Sequence, residues 1–251
     1  MGPEVRTIKI TVQYDGSAFS GFQRQPGLRT VQEVLEEGLS RIFGHSARVT
    51  GAGRTDAGVH ALGQVVSTIC QGSIPAARIV EAANSVLPDD LALVSAEEAA
   101  PGFHARRAAR SKIYMYIFDT SPQRSPFLCR YSLHVKRDLD SAAMDEACGY
   151  FVGRQDFSAF RASGSGVKTS IRTVLRAQVR RLPCFDACVA FEIAADGFLY
   201  NMVRIMASLL LDAGTGRIRP QEVQAIIESR KRSRVGATLP AQGLWLVSVQ
   251  Y

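Results

Sequence analysis

The chain has only five cysteines in 251 residues, at 70, 129, 148, 184 and 188, and no two form a Cys-x-x-Cys pair. An odd number without that spacing argues against a disulfide framework or a zinc site and predicts reduced thiols in a cytoplasmic protein. Its four histidines, His45, His60, His104 and His134, show no metal-ligand spacing, so no metal is expected. The strongest apolar run, around Ile205 to Leu211, is far shorter than the roughly 20 residues a membrane helix needs. The start, Met-Gly-Pro-Glu-Val-Arg, has no apolar signal core. The richest glycine stretch has neither a Gly-Lys-Ser/Thr ending nor the dinucleotide fingerprint. No paired acidic motif suggests a retaining glycosidase.

The composition that remains is globular, with 46% hydrophobic and 21% charged residues. The length suits one large domain or two of ordinary size. A net charge of +7 favours a polyanionic partner such as nucleic acid.

The stretch Gly51-Ala52-Gly53-Arg54-Thr55-Asp56-Ala57-Gly58-Val59-His60 packs three glycines into eight residues around one basic and one acidic side chain. Glycine permits tight turns and close backbone approach. The segment reads as an exposed loop presenting Asp56 beside Arg54, followed by a β-branched strand, Gln64 to Ile69. By composition alone Asp56 fits two roles, an Asx turn or a carboxylate held for catalysis.

The rest of the first half alternates strand and helix. Thr7 to Tyr14 places Ile8, Ile10, Val12 and Tyr14 on one face and ends at the turn Asp15-Gly16. The loop Phe19 to Gly27 interleaves aromatics with Gln23, Arg24 and Gln25, which suits RNA as well as it suits a polar loop with Phe19 and Phe22 turned inward. Thr30 and Glu33 form a capping-box pattern before an apolar stripe of Val31, Val34, Leu35, Leu39 and Ile42. A second helix follows Pro75, and Leu91 to Val94 is a short strand. This order describes an α+β sandwich.

The segment Pro101 to Lys112 is the densest basic stretch, with Arg106, Arg107, Arg110 and Lys112, and reads as a phosphate contact. Ile113 to Phe118 is a strand with Tyr114, Tyr116 and Phe118 on one face. Asp140 to Phe151 is a helix, Ala162 to Thr169 a flexible loop that fits an RNA contact or a disordered tip, and Thr173 to Leu182 with Asp186 to Ile193 a hairpin. Arg172, Arg176 and Arg180 fall on one strand face, which fits a basic stripe or a wet sheet face equally. Phe198 to Leu211 is an almost wholly apolar, buried helix with Arg204 in its middle, and an unpaired buried charge is costly enough to demand a carboxylate or an anion opposite it. Gly243 to Val249 is the last strand.

The string Gly-Arg-Thr-Asp-Ala-Gly-Val-His closely resembles the signature of the TruA-type tRNA pseudouridine synthases. The resemblance runs on through Tyr14-Asp15-Gly16, Phe22-Gln23-Arg24-Gln25, Phe103-His104-Ala105-Arg106, Tyr114-Met115-Tyr116, Asp156 to Arg161, Met202-Val203-Arg204 and the closing Gly243-Leu244 strand, in the family's order. Phe22 and Trp245 are aromatic swaps within that pattern. The resemblance implies the pseudouridine synthase fold, two α/β subdomains sharing a mostly antiparallel sheet with helices on its faces and an active-site cleft between them. The subdomains are expected at 1–105, with the Asp56 loop, and 106–251, with the tyrosine strand and arginine helix. It implies an isomerase of uridine in tRNA acting at positions 38, 39 and 40 of the anticodon arm, as a homodimer and with no cofactor. Carried over by position, Asp56 is the nucleophile, Arg204 its charge partner and Tyr114 the ring against the target uracil. Arg54 is assigned to fill the gap left by the base or to grip a phosphate. Gln23, Arg24, Gln25, Arg106, Lys112 and Arg161 are assigned to the RNA. Another uridine position, or a non-catalytic tRNA-binding or folding factor, is the alternative.

Overall fold

The computed structural model describes residues 5–251 apart from 165, 166, 168 and 184. Ser165, Gly166 and Lys168 of the Ala162–Thr169 loop, Cys184 and the first four residues therefore lie outside the described residues. The chain forms two compact units, Met1–Arg110 with Leu246–Tyr251, and Ser111–Trp245.

The first unit opens with β1 (Val5–Tyr14), whose alternation buries Ile8, Ile10, Val12 and Tyr14 as the sequence pattern requires. Helix α1 (Val31–Phe43) follows, then a short β2 (Val49–Gly51), β3 (His60–Gln71), α2 (Ala76–Asn84), β4 (Leu91–Ala99) and the single turn α3 (Ala105–Ala108). Strand β1 pairs antiparallel with both β3 and β4, and β2 pairs antiparallel with β3. Strand β2 was not expected from the sequence, because three residues are too few to show a period. Thr30 does start α1, but its hydroxyl makes no capping bond and is buried without a partner, so the capping box does not form. Glu33 pairs instead with Arg24 at 3.2 Å.

The second unit contains β5 (Ser111–Asp119), β6 (Leu133–His134), α4 (Ser141–Gly149), β7 (Gly153–Asp156), β8 (Ile171–Leu182), β9 (Phe185–Ala195), α5 (Met202–Gly214) and α6 (Glu222–Ser229). Its strands run in the order β5-β9-β8-β7, with every neighbour antiparallel and the two-residue β6 parallel to β5. Asp140 caps α4 by accepting from Ala142 N and Ala143 N. Phe151, Phe157, Phe160 and Phe191 are fully buried and meet edge to face or tilted, forming the aromatic centre of this unit. The arginine stripe does not survive the register. One extra residue between Val174 and Arg176 shifts the alternation, so that the buried residues Val174 and Val179 are five apart. Arg172 then shares the side of Val174, while Arg176 and Arg180 lie on the other.

The last strand, β10 (Leu244–Gln250), enters the first unit at Leu246 and lies beside β3. There Tyr251 packs on Phe103 and donates its hydroxyl to Ala105 O at 2.9 Å. Cys70, Cys129, Cys148 and Cys188 are free thiols among the described residues. No helix among them is long and apolar enough to cross a membrane.

Candidate active site

Strand β2 ends at Gly51, and the chain crosses to β3 through the Gly53–Val59 loop. The backbone of this loop is pinned at several points. Ala52 N donates to Val65 O at 2.7 Å, Phe22 N to Thr55 O at 3.0 Å, and Val59 N to Asp56 O at 3.1 Å. Two glycines of the preceding segment let it lie against the loop. A Cβ on Gly16 would stand 2.1 Å from Val59 O, and one on Gly21, whose φ is +91°, would stand 2.9 Å from Thr55 O. The buried ring of His60 takes a hydrogen bond from Gly16 N at Nδ1, 3.1 Å away. The carboxylate of Asp15 lies 3.2 Å from the same nitrogen.

Side chains complete the seating. The hydroxyls of Tyr14 and Thr55 are 2.8 Å apart in a buried contact. Gln64, fully buried, donates from Nε2 to Gly53 O at 3.0 Å and accepts from Val65 N at Oε1. Burial pushes the Tyr14 hydroxyl up to about 12, against the lowering hydrogen bonds to Thr55 and Gln64. Asp56 is left half-buried and Arg54 exposed, on either side of the buried Thr55. Sequence reasoning missed Tyr14, Thr55 and Gln64 as parts of this site. The signal was a glutamine inside a β-branched run and a tyrosine directly before the Asp-Gly turn.

In the Phe19–Gly27 loop the inward reading of the two rings holds. Phe19 and Phe22 are 3% and 2% exposed, so neither ring is presented for stacking on a base. Phe22 fills the space beside Gly51, and Phe19 lies under the Arg29 guanidinium at 4.1 Å. The polar residues between them do reach the surface. Arg24 and Gln25 are exposed and Gln23 is half-buried. Gln23 Nε2 and Arg24 N both donate to Gln32 Oε1 at 3.0 Å, and Gln25 Nε2 donates to Ser20 O. One turn along α1, the buried Glu36 accepts from Gln32, Val49 N, Arg24 and Arg48. The exposed Arg106 lies in α3, where the His104 ring caps the amides of Arg106 and Arg107.

Lys112, Tyr114, Arg161 and Arg204 belong to the second unit. Tyr114 is 8% exposed, and its ring meets Phe198 edge to face at 5.0 Å. Lys112 stands two residues earlier on the same face of β5. Arg161 follows the buried Phe157–Phe160 segment and lies 3.4 Å from Ser170 Oγ. Arg204 is not mid-helix. Helix α5 begins at Met202, because Asn201 adopts the left-handed conformation at φ 59° and interrupts the run that starts at Phe198. Arg204 is therefore in the first turn, half-buried, with Nε donating to Leu239 O at 2.7 Å and Nη1 to Asn201 Oδ1 at 2.8 Å. Burial raises the Tyr116 hydroxyl above its ordinary value, and the nearby Arg204 charge pulls the other way.

Residues 10–106 and 147–251 match the family described as tRNA pseudouridine synthase. A protein of Acetivibrio thermocellus named tRNA pseudouridine synthase A is 45% identical over 98% of this chain and all of its own length. Proteins of the same name from Pelobacter propionicus and Caldicellulosiruptor saccharolyticus are 44% and 41% identical over the same shares. Among solved structures, the crystal structure of the archaeal box H/ACA sRNP Nop10-Cbf5 complex aligns at a TM-score of 0.35 and 12% identity, over 81% of this chain and 43% of that one.

Proposed function

Because this chain belongs to the tRNA pseudouridine synthase family, we propose that it isomerises uridine to pseudouridine at positions 38, 39 and 40 of the tRNA anticodon arm. The observation that carries this reading is the intact Gly51–His60 string, folded so that Thr55 is buried while Asp56 stays accessible.

In this reaction the bond between uracil N1 and the sugar breaks, the base turns, and its C5 bonds to the same sugar carbon while the C5 proton leaves and N1 takes one up. Atoms and electrons balance within the substrate, so the chemistry calls for no cofactor. The proposal gives Asp56 the task of trapping the sugar or base covalently, or of stabilising the cationic sugar. The resemblance alone assigns Arg204 to keep Asp56 ionised and aimed. Tyr114 receives the extruded uracil, at the usual cost of a few kcal/mol for leaving the stack. Arg54 fills the vacated place or grips a phosphate. Gln23, Arg24, Gln25, Arg106, Lys112 and Arg161 contact RNA, largely at its backbone, which suits recognition of several adjacent uridines by shape. A homodimer with the tRNA lying across both copies, acting in the cytoplasm, belongs to the same reading.

The test is pseudouridine formation in an unmodified tRNA, mapped by position, with Asp56→Asn beside the wild type. Wild type is expected to convert uridines at 38–40, and Asp56→Asn to bind the tRNA yet form no product. Product from both proteins would remove Asp56 from the mechanism. Tight binding with product from neither would make this an RNA-binding protein.

A further inference from the structure

The residue before the catalytic candidate is held more firmly than any turn requires. Thr55 is fixed from two directions, its carbonyl by Phe22 N and its hydroxyl by Tyr14. Tyr14, the last residue of β1, reaches it at 2.8 Å. Val12 faces Gln64, but Tyr14 faces Ala61, so β3 carries one extra residue beside Gly63. Such a bulge re-aims the side chains that follow it. Gln64 faces Val12 and Tyr14 stands two residues further on, so Gln64 and Tyr14 share one side of the pair, and the extra residue brings Ala61 to that side as well.

The donor order at Gln64 follows from the atoms. Gln64 Oε1 is taken by Val65 N, which turns Nε2 toward Gly53 O and leaves its second hydrogen for the Tyr14 oxygen. The Tyr14 and Thr55 hydroxyls share one hydrogen bond, in which either oxygen can donate. Gly53 and Thr55, on either side of Arg54, are thereby tied to one amide and one phenol in a buried network. A satisfied buried network of this kind rigidifies what it touches.

We propose that Tyr14, Thr55 and Gln64 are positioning residues for the reaction, acting through the Thr55 hydroxyl to fix the direction of Asp56. This rests on the catalytic role proposed for Asp56. All three side chains are buried, so their loss should lower kcat and leave RNA affinity alone.

The experiment compares wild type with Thr55→Val, which keeps the shape without the hydroxyl, Thr55→Ser, which keeps the hydroxyl, Tyr14→Phe, and the Tyr14→Phe/Thr55→Val double variant. Kinetics use an anticodon-arm RNA at a temperature where each protein is folded by circular dichroism. Thr55→Val and Tyr14→Phe are each expected to lower kcat about tenfold, the scale of a small misplacement of a catalytic group, with KM little changed. Thr55→Ser should recover most of the loss. The double variant should be no worse than the poorer single, because both remove one bond. Backbone amide exchange over residues 52–59 should be about tenfold faster in Thr55→Val and Tyr14→Phe than in wild type or Thr55→Ser.

The proposal fails if kcat is unchanged in Thr55→Val, if Thr55→Ser is as poor as Thr55→Val, or if the single losses multiply in the double variant. Amide exchange unchanged in all variants would also overturn it, whatever the activity. A wild type inactive on RNA, with the exchange pattern as expected, would overturn the functional reading and leave the seating of the Asp56 loop established.

Discussion

Gly21 shows how closely single residues determine this site. At φ +91°, a side chain there is strained, and its Cβ would stand 2.9 Å from Thr55 O and 3.2 Å from Ala57 N, both backbone atoms with little freedom to yield. Gly21→Ala is expected to destabilise the protein by about 1–3 kcal/mol, the scale of a forced backbone conformation. Urea denaturation checks it, and a change of almost nothing would mean that the loop can move aside. At residue scale the sequence displayed Asp56 and its glycines. It did not display Tyr14, Thr55 and Gln64 as a group, because they come from separate segments and meet only through the pairing of β1 with β3, which no local pattern encodes.

Among the elements, α1 carries more than an apolar stripe. Its buried residues include Glu36, where a carboxylate is unexpected by burial preference. Glu36 reaches the Val49 amide at the start of β2 and two arginines, tying α1 to the strand that leads into the Asp56 loop. Arg24 and Arg48 are 45% and 72% exposed, so solvent screening leaves the charge pairs weak, and the amide bond matters more. Glu36→Leu leaves Val49 N without its acceptor and should cost about 1–3 kcal/mol. Glu36→Gln keeps an acceptor oxygen and should cost clearly less. Thermal unfolding of the two variants separates these outcomes, and equal losses would place the effect on the charge. At this scale the helix and strand assignments followed from period, while their ends did not. The capping box at Thr30 was legible but not formed, and α5 starts four residues late because Asn201 turns left-handed.

For the whole molecule the net charge of +7 is the feature with a direct consequence for binding. Arginines of the Pro101–Lys112 segment, among them Arg106 and Arg107, are exposed, as groups that meet an RNA backbone must be. Affinity for tRNA should fall with added salt. The double variant Arg106→Ala/Arg107→Ala should flatten the plot of log K against log salt by about 0.7 for each phosphate it no longer neutralises. An unchanged slope would remove this segment from the RNA interface. The variant's kcat at saturating RNA should stay close to wild type, since groups that grip phosphates position the substrate and do no chemistry.

Neighbouring residues alone were enough to set the composition of an α+β protein, the alternation that buries one face of β1, and the string that identifies the family. These are local properties, carried by period, turn chemistry and a run of adjacent residues. Only the folded chain could decide that Phe19 and Phe22 are buried scaffold, that Arg204 stands in a first turn, and that a bulge broke the arginine stripe of β8. It also decided which polar residues hold the Asp56 loop. Each of these depends on partners distant in the chain, whose approach is set by strand register and by the space a glycine leaves open.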